Sequence, residues 1–538
     1  MFGRRKKADS QFKLHMPWRE NLETLSAAIV MALVLKFFVV EAYKIPTGSM
    51  QPTLMGDDGT QIYDRILVDK FSFVARDPER WEVVVFKYPL DLVKNYVKRL
   101  VGLPGEKLAV ADGNLWAATD PQAHEGSPAG TWKILRKPVE VQRDLWKELW
   151  TWEGGEKDPE RKARLNEDKS RYELEVVEGA WRASKGAMLV DAAKPFRCLW
   201  PKDGTVRDLY RDGYPAAIQE RIDFPGRSKM KPPWVGTNQV GDLRFDLRLT
   251  PEADLAEVEI VLRAYQRLHH FRICGPAGSG ESFVLWNRRR GASGEQNPRA
   301  AFERKLAAGE TVELRAEVCD QRLRLLIDDE ELARVEFDLL WAAAEHRLSI
   351  TEGARGLEGI RDDDVCRVEL ALKGSARVEG LRTFRDVHYL PETTRARKPP
   401  FTATDWGNDF TLLHPNDECT PEGHYFMMGD NTQNSLDSRG WKKVTREALD
   451  GTEVSGNWNG MPGSPDTNPR PARGEEDPGM KVLRTTTGRE VLVKDQPGDP
   501  QGERHAPYVR RDLIVGKAVV VFWPTKPPAD AMRWKFVR

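Results

Sequence analysis

The sequence predicts a mainly β protein in which one membrane-spanning helix precedes the first strands. Three observations support this fold class. An apolar run at residues 22–40 follows a basic segment. Short apolar runs separated by glycine and proline, the pattern of strands and turns, occur before residue 119 and again after residue 396. The long stretch between them has alternating strands of its own, so we expect one β-domain interrupted by a second.

Composition argues against several classes of function. The chain has 538 residues, enough for about two to four domains, and its 83 basic and 83 acidic residues cancel. Nucleic-acid-binding proteins usually show a basic excess, so no nucleic-acid partner is expected. Nine histidines lack metal-ligand spacing and five cysteines lack a C-x-x-C pair, so we expect no metal, disulfide framework or cofactor. The cysteines are Cys198, Cys274, Cys319, Cys366 and Cys419.

The beginning of the chain predicts a membrane anchor. Residues 1–21 are polar and basic, whereas Leu25 to Val40 is apolar apart from one serine and one lysine. Extended back to residue 22, the run can span a bilayer, and the preceding charges predict that the N-terminus lies inside. A cleavable signal peptide is the competing interpretation, but no small-residue cleavage site follows at residues 41–44. We therefore predict a single uncleaved anchor.

A short segment after the anchor carries the first candidate catalytic residue. Within residues 43–54, Pro46 and Pro52 bracket Ser49. Proline fixes φ, lacks an N–H donor and pushes the preceding residue into an extended conformation, so a helix through Ser49 is disfavoured. We expect a strand or turn that holds Ser49 rigidly just outside the membrane. A lone serine in a turn is usually only a turn residue, so the assignment depends on partners elsewhere in the chain.

Lys98 is the second candidate, in the first part of the β-domain at residues 41–119. A serine hydroxyl needs a base to remove its proton, and no histidine lies in a segment with the features of a site. A buried lysine can serve, because burial disfavours its charged form and lowers its pKa. Lys98 lies in a predicted strand among apolar neighbours, and the period of a strand points Arg99 to the opposite face. The alternative is an ordinary edge-strand lysine.

The middle of the chain divides into two regions. Residues 120–232 are highly charged and predict a partly helical region, with a helix near residues 138–152. Residues 233–395 predict a β-sandwich, because apolar residues alternate in several segments and a hairpin turn is expected at 319–322. This pattern resembles concanavalin-like jelly-roll domains, which bind glycans or proteins or serve a structural role. A glycan or protein partner is thus one expectation for this domain.

The first β-domain resumes at residues 396–451. A strand at 425–428 leads into a run of Asp, Asn, Ser and Gly that requires a tight, self-hydrogen-bonded turn. Its carboxylates lack the spacing of an EF-hand calcium loop. Residues 452–507 are rich in proline and glycine and predict an insertion with little regular structure. Residues 508–538 are expected to supply the closing strands.

Three blocks together resemble bacterial type I signal peptidase, the leader peptidase with a Ser-Lys dyad. They are P-T-G-S-M-Q-P-T-L at 46–54, Y-V-K-R-L-V-G-L-P-G at 96–105 and G-D-N-T-Q-N-S-L-D-S-R at 429–439. They occur in the family's order behind an apolar run, and their combination is far more specific than any one alone. The segments at 64–70 and 512–518 also fit. The resemblance covers residues 20–118, 396–441 and 508–525.

The resemblance implies a role for each matching residue. Ser49 would be the nucleophile and Lys98 the general base, with Ser435 orienting the Lys98 amine. The Ser49 N–H and the hydroxyl of Thr47, where serine or glycine is common, would form the oxyanion hole. The residues expected to support the Ser435 turn are Asp430, Asn434 and an ion pair of Asp437 with Arg439. Those expected to line the substrate pockets are Tyr43, Ile45, Met50, Leu54, Tyr96 and Val97. Thr432-Gln433 departs from the family's usual Arg-Asp.

The function implied is that of a membrane-anchored serine endopeptidase that removes signal peptides from exported preproteins after small residues at −1 and −3. Its partners would be signal peptides and the lipid bilayer. It would lie in the bacterial cytoplasmic membrane, with its N-terminus in the cytoplasm and its catalytic domain on the outer, periplasmic side.

Three alternatives compete with this function. The first is a membrane-anchored binding protein whose β-sandwich is the working part and whose peptidase core is degenerate. The second is an autoproteolytic repressor of the same clan, which the apolar run and the lack of a helix-turn-helix pattern disfavour. The third is an endoplasmic-type peptidase with a histidine base, but a lysine occupies that position.

Overall fold

The computed structural model describes most of the chain. Apart from internal breaks of one to four residues, the described residues are 17–152, 174–208, 212–214, 238–288, 298–337, 365–391, 411–458, 470–471, 480–494, 503–525 and 535–538. The helices among them are α1 Pro17–Val34, α2 Ser72–Ala75 and α3 Val139–Leu145. Strands dominate the remainder, so the predicted mainly β class is confirmed.

One antiparallel sheet, with nine strands among the described residues, carries the candidate site. These strands are β1 Val40–Lys44, β2 Gly56–Asp57, β3 Ile62–Asp69, β4 Val83–Tyr88, β5 Asp91–Gly102, β25 His424–Met428, β32 Tyr508–Arg510, β33 Ile514–Thr525 and β34 Lys535–Phe536. The main path runs β1-β3-β33-β4-β5-β25-β32. Met427 of β25 lies opposite Leu100 of β5, so strands from the two ends of the sequence meet in one sheet.

The helix α1 is shorter than the predicted anchor. It ends at Val34, and β1 already begins at Val40, where the sequence analysis placed the end of the span. The chain becomes a strand there because Val40 pairs with Asp69 of β3. Large apolar side chains of α1, such as Leu25 and Met31, are exposed. No helix in the described ranges combines the length and the hydropathy of a membrane span.

A small sheet lies beside the main one and joins it to the middle of the chain. Its strands are β6 Lys107–Ala111, β7 Asn114–Ala118, β8 Lys133–Ile134 and β24 Thr411–Leu412. Apolar side chains of β6 and β7 pack with Phe426 and Met428 of the main sheet. The chain enters the inserted domain after β8 and returns at β24, so the two crossing points lie on opposite edges of this sheet.

The inserted domain is a two-layer β-sandwich. One layer contains β9 Lys147–Trp152, β11 Trp181–Ser184, β12 Ala187–Val190, β14 Leu243–Pro251, β19 Val312–Cys319, β20 Arg322–Ile327, β21 Glu330–Glu336 and β23 Ala376–Arg385. The other contains β10 Glu175–Glu178, β13 Phe196–Trp200, β15 Glu257–Ala264, β16 Arg267–Cys274, β17 Ser282–Arg288, β18 Arg299–Phe302 and β22 Arg367–Lys373. Side chains of both layers, including Phe245 and Ile260, share one apolar core. The hairpin predicted at 319–322 is confirmed by the pairing of β19 with β20.

The sandwich begins earlier than predicted. Strand β9 already belongs to it, although the sequence analysis placed the boundary at residue 233 and expected a helix near 138–152. The helix α3 ends at Leu145, and the strand then places Trp150 and Trp152 on one face by the period of two. Both tryptophans pack against the sandwich core, which stabilises a strand in place of further helix.

The region after residue 441 is more regular than predicted. Its six described strands are β26 Lys442–Glu447, β27 Glu453–Trp458, β28 Arg470–Pro471, β29 Met480–Thr485, β30 Glu490–Lys494 and β31 Glu503–His505. Val444, Leu483 and Val493 form a small buried core between them. The expectation of little regular structure at 452–507 was therefore wrong for these strands, because a few alternating apolar residues suffice to hold paired hairpins. Parts of this region lie outside the described residues.

Candidate active site

Ser49 lies in a tight turn at the end of β1. The residues Gly48–Met50 form a 3₁₀ turn, and the Leu54 N–H donates to the Met50 carbonyl at 2.8 Å. The Met55 N–H donates to the Asp64 carboxylate at 2.7 Å, which attaches the segment to β3. The Ser49 side chain is buried. The segment is thus a held turn rather than a helix, as Pro46 and Pro52 predict.

Lys98 meets Ser49 directly. It lies in the middle of β5, where it pairs with Val84 of β4. The Lys98 Nζ is 2.5 Å from the Ser49 Oγ, and Ser49 and Lys98 are only 7% and 4% exposed. The Lys98 Nζ also lies 5.7 Å from the centre of the Tyr96 ring, two residues earlier on the same strand face. A hydroxyl and an amine that are 49 residues apart in sequence are therefore buried in direct contact.

Asn431 binds the turn that carries Ser49 from the other side. Its backbone N–H donates to the Ser49 carbonyl at 3.1 Å, and its side-chain amide donates to the Gly48 carbonyl at 3.1 Å. Asn431 was not among the residues predicted from the sequence. The available signal was its place between two selected residues, Asp430 and Asn434, in a block dense in polar side chains.

Ser435 is buried close to the same turn. A side chain on Gly429 would collide with both the Ser435 hydroxyl and the Ser49 carbonyl oxygen, so these two groups approach one glycine from two different loops. The Ser435 hydroxyl contributes to the lowered pKa of Asp437, yet it has no hydrogen-bond partner of good geometry among the described residues. The structure thus brings Ser435 to the site without showing what it orients.

Asp437 and Arg439 form a fully buried ion pair. The Arg439 Nε and Nη2 donate to the two Asp437 carboxylate oxygens at 2.8 and 2.6 Å, and both side chains are 0% exposed. Arg439 also donates to the carbonyls of Leu390 and Thr432, and the Gly429 N–H donates to Asp437 at 3.0 Å. Burial alone would raise the pKa of Asp437, but the Arg439 charge and these hydrogen bonds hold it below its usual value.

A second buried pair joins Asp430 to Arg99. The Arg99 Nε and Nη2 donate to the two Asp430 oxygens at 2.7 and 2.8 Å. Burial would raise the pKa of Asp430, but the Arg99 charge lowers it. The sequence analysis placed Arg99 on the face opposite Lys98 and assigned it no role. Lys98 contacts Ser49, and Arg99 holds the start of the loop that carries Ser435. Strand β5 therefore contacts both loops through two adjacent residues.

The geometry agrees with the comparisons to known proteins. A family model described as "Signal peptidase, peptidase S26" matches residues 18–153 and 384–458, which contain Ser49, Lys98 and Ser435. These two segments belong to the signal peptidase family. The inserted sandwich accounts for most of the gap between them.

Curated signal peptidases match the chain over short stretches. The probable signal peptidase I-2 of Synechocystis sp. is 41% identical over 105 residues, which is 18% of this chain and 45% of that protein. Signal peptidase I of Pseudomonas fluorescens is 44% identical over 90 residues, or 14% and 30%. Signal peptidase I of Leptolyngbya laminosa is 35% identical over 116 residues, or 20% and 54%. The chain thus spans about a third to a half of the length of these relatives.

Solved structures resemble the chain only weakly. A carbohydrate binding module from Bacillus subtilis is 8% identical, covers 40% of this chain and 92% of its own, and has a TM-score of 0.20. A galectin from Caenorhabditis elegans is 14% identical, covers 27% of this chain and 83% of its own, and has a TM-score of 0.18.

The predicted pocket residues of the signal peptidase core fall into two neighbouring groups. Ile45, Met50 and Leu54 belong to one buried apolar cluster, and Tyr43 and Val97 pack against it. Tyr96 instead stacks on Tyr88 with ring centres 4.4 Å apart, within a cluster that includes Trp441. The two groups lie on opposite faces of β5, as alternation along that strand requires. Thr47 is exposed and directly precedes the 3₁₀ turn.

An acidic cluster near the signal peptidase core has the composition of a metal site. Ligand atoms of Asp242, Cys319, Asp320 and Asp386 lie within 4.8 Å of one another. The Lys137 ammonium is already there, with its Nζ 2.5 Å from Asp320 and 2.8 Å from Asp386. Burial would lower the pKa of Lys137, but these two carboxylates hold it well above its usual value. The positive charge of this lysine therefore offsets the negative charge of the cluster. The ion pairs also join the segment before α3 to the sandwich.

Proposed function

We propose that the protein is a serine endopeptidase that removes signal peptides from exported preproteins, with Ser49 as nucleophile and Lys98 as general base. One observation carries the proposal, namely the 2.5 Å separation of the Lys98 Nζ and the Ser49 Oγ in a buried pocket. The signal peptidase family of the two surrounding segments supports the same reaction. A binding protein with a degenerate peptidase core is disfavoured, because binding alone does not require a buried contact between the Lys98 amine and the Ser49 hydroxyl.

The reaction begins with transfer of the Ser49 proton to the uncharged Lys98 amine. The Ser49 oxygen then attacks the scissile carbonyl and forms a tetrahedral intermediate. The Lys98 ammonium returns the proton to the leaving amine, which departs as the new N-terminus of the mature protein. Water, deprotonated by the same amine, hydrolyses the acyl-enzyme and releases the signal peptide. Burial of Lys98 favours this chemistry because a low-dielectric environment disfavours an ammonium.

The oxyanion of the intermediate needs donors that are already in place. The Ser49 N–H is one donor, and the Thr47 hydroxyl is the second. The hydrogen bond from Asn431 to the Gly48 carbonyl supports the first assignment, because that carbonyl and the Ser49 N–H belong to the same peptide group. We assign Ser435 to orienting the Lys98 amine, with the pair of Asp437 and Arg439 supporting its loop.

The substrate would bind as an extended strand beside the Ser49 segment. We assign shallow substrate pockets to Ile45, Met50 and Leu54, with Tyr43 and Val97 packed against their apolar cluster. Shallow apolar pockets accept small side chains, so cleavage would follow small residues at −1 and −3. Tyr96 would contribute from the Lys98 face of β5.

The helix α1 would anchor the enzyme in the bacterial cytoplasmic membrane. Its exposed apolar side chains, including Leu25, Ile29 and Met31, support contact with lipid. The basic residues ahead of it in the sequence favour a cytoplasmic N-terminus and a periplasmic catalytic domain. Anchoring enzyme and preprotein in one bilayer raises their effective concentration.

The test is cleavage of a preprotein by the purified full chain in detergent or vesicles. The wild-type protein should release a mature product whose new N-terminus follows a small residue. Ser49→Ala and Lys98→Met should each abolish cleavage while remaining folded by circular dichroism. Lys87→Met, an exposed lysine on the adjacent strand β4, is the matched control and should cleave normally. Cleavage retained by Lys98→Met would refute the base assignment, and a wild-type protein that cleaves no preprotein would refute the function.

A further inference from the structure

The inserted domain reaches the loop that carries Ser435. The Gln433 side-chain amide donates to the Asp208 carboxylate at 2.8 Å and also to the Asp208 backbone carbonyl. Gln433 is one of the two positions at which the chain departs from the pattern it otherwise resembles. Thr432, the other one, donates to the His388 carbonyl at 2.7 Å, also near the end of the insertion. Gln433 therefore contacts a residue of the insertion, and Thr432 contacts a residue close to the end of it.

Asp208 is a fixed partner rather than a mobile surface group. Its carboxylate accepts hydrogen bonds from the Asn238 N–H at 3.0 Å and from the Asn238 side-chain amide at 2.8 Å, and it is buried. Nearby, the Thr205 hydroxyl donates to the Gln239 side-chain oxygen at 2.7 Å. Because both carboxylate oxygens already have donors, Asp208 presents one fixed orientation to Gln433.

The insertion also reaches the loop that carries Ser49. The Tyr214 hydroxyl donates to the Gln51 side-chain oxygen, and the Gln51 amide donates to the Gly56 carbonyl at 2.9 Å. The Tyr214 ring packs with Met55 and Ile62 in a small buried cluster. A Cβ added to Gly48 would lie 2.6 Å from the Gln51 side chain, so Gln51 covers the residue just before Ser49.

These two contacts arise from segments that the sandwich itself holds. Asp212 accepts a hydrogen bond from the Arg385 Nε of β23 at 2.5 Å, and the Gly213 N–H donates to the Glu148 carbonyl of β9 at 3.2 Å. β9 and β23 are paired strands of one sandwich layer. Positions 212–214 are thus fixed to the sandwich on one side and to the nucleophile turn on the other.

We propose that residues 205–208 and 212–214 form a brace that positions both catalytic loops, with Asp208 acting through Gln433 and Tyr214 acting through Gln51. The brace makes the insertion a part of the active site, although none of its residues touches the reacting atoms. Small displacements of a nucleophile or a base reduce the rate strongly, because the reacting atoms must be aligned. This inference rests on the proposed function, since it concerns the placement of the proposed dyad.

The brace predicts a defect in turnover rather than in substrate binding. Tyr214→Phe keeps the ring in its apolar cluster and removes only the hydrogen bond to Gln51, so kcat should fall about tenfold with little change in KM. Gln433→Met removes the donor to Asp208 and should give a similar loss. Tyr508→Phe is the matched control, because its hydroxyl lies 3.4 Å from the Cys419 carbonyl rather than beside either loop. This control should keep wild-type kcat.

Hydrogen exchange provides a readout that needs no activity. In wild type the Asn431 N–H donates to the Ser49 carbonyl, and the Leu54 N–H donates to the Met50 carbonyl. Both amides should exchange faster in Tyr214→Phe than in Tyr508→Phe. Unchanged hydrogen exchange at both amides in Tyr214→Phe would contradict the proposed brace. A Tyr214→Phe variant with a lower melting temperature but the kcat of wild type would contradict it as well. If the wild-type protein cleaves no preprotein, the proposed function fails, and the exchange comparison alone decides the brace.

Discussion

Asn431 donates a hydrogen bond from its side chain to the Gly48 carbonyl, 3.1 Å away, although the two residues are 383 positions apart in sequence. This carbonyl shares a peptide group with the Ser49 N–H. A planar peptide points its carbonyl and its N–H in opposite directions, so Asn431 fixes the direction in which the Ser49 N–H points. The backbone N–H of Asn431 holds the next carbonyl, that of Ser49. One residue thus orients the main chain on both sides of the proposed nucleophile.

Asn431→Ala should therefore lower kcat more than it lowers stability. Loss of one hydrogen bond costs about 1 kcal/mol, and the Ser49 N–H would no longer be held toward the oxyanion, so we expect a rate loss of about tenfold. Steady-state cleavage of a preprotein measures it. Asn95→Ala, at an exposed position of β5, is the control and should leave kcat unchanged. If Asn431→Ala raises KM alone, then Asn431 acts on substrate binding and not on the peptide group.

The dependence of activity on pH follows from the proposed base. The Lys98 amine accepts the Ser49 proton only when uncharged, so kcat/KM should rise toward alkaline pH and fall as acidification protonates the amine. A profile from about pH 5 to pH 10 measures this rise. Lys98→Arg should be inactive throughout, because a guanidinium stays protonated. An optimum on the acid side would point to a carboxylate base and contradict the assignment.

Gly429→Ala should disable the site by steric conflict. A methyl group there would collide with the Ser435 hydroxyl and with the Ser49 carbonyl oxygen, so one of the two catalytic loops must move. Overpacking of this kind costs about 1–3 kcal/mol, and we expect preprotein cleavage to fall at least tenfold. Gly126→Ala is the control, since the added carbon would lie 3.6 Å from the His124 ring, an ordinary contact. Wild-type activity in Gly429→Ala would mean that the two loops can separate without loss of function.

Local patterns predicted several strands and selected the two residues of the proposed dyad, but they did not predict the distant residues that support it. Continuous or alternating apolar residues identified β4, β5, β14 and β22 because the periods of strands are short-range signals. Ser49 and Lys98 were selected because each lies in a recognisable block. The contact of Arg99 with Asp430 was missed, since the period of β5 gives the face of Arg99 but not a partner 331 residues away.

The insertion shows the same limit more strongly. Residues 120–232 were expected to be partly helical because charge is high and apolar periodicity is weak there. Strands β13 and β12 of this region pair with β22 and β23, which come more than a hundred residues later. Asp208 and Tyr214 carried no local signal, and only the folded chain brings them to Gln433 and Gln51. Pairing with distant strands therefore determines the secondary structure that the local sequence pattern did not predict.

The buried pair of Asp437 and Arg439 should make the catalytic domain sensitive to acid. The pKa of Asp437 is lowered in the folded protein: burial opposes ionisation, but the Arg439 charge, the hydrogen bonds from Arg439 and the hydrogen bond from the Gly429 N–H outweigh it. The stability that this shift contributes is fully present above the ordinary Asp pKa of about 3.9. It is lost as the pH falls through the lower, folded-state pKa.

Asp437→Asn tests this linkage. The variant leaves the Arg439 charge buried without its partner, so at neutral pH it should be destabilised by about 3–5 kcal/mol. Between about pH 5 and pH 3 its stability should fall less steeply than that of wild type, because the titrating group is gone. The urea midpoint of the catalytic domain, followed by hydrogen exchange at the Gly429 amide, measures both effects. Asp512→Asn is the control, since it removes an exposed partner of Arg510, a solvent-screened surface pair. If the stability of wild type and that of Asp437→Asn fall equally steeply as the pH decreases, then carboxylates other than Asp437 dominate unfolding by acid.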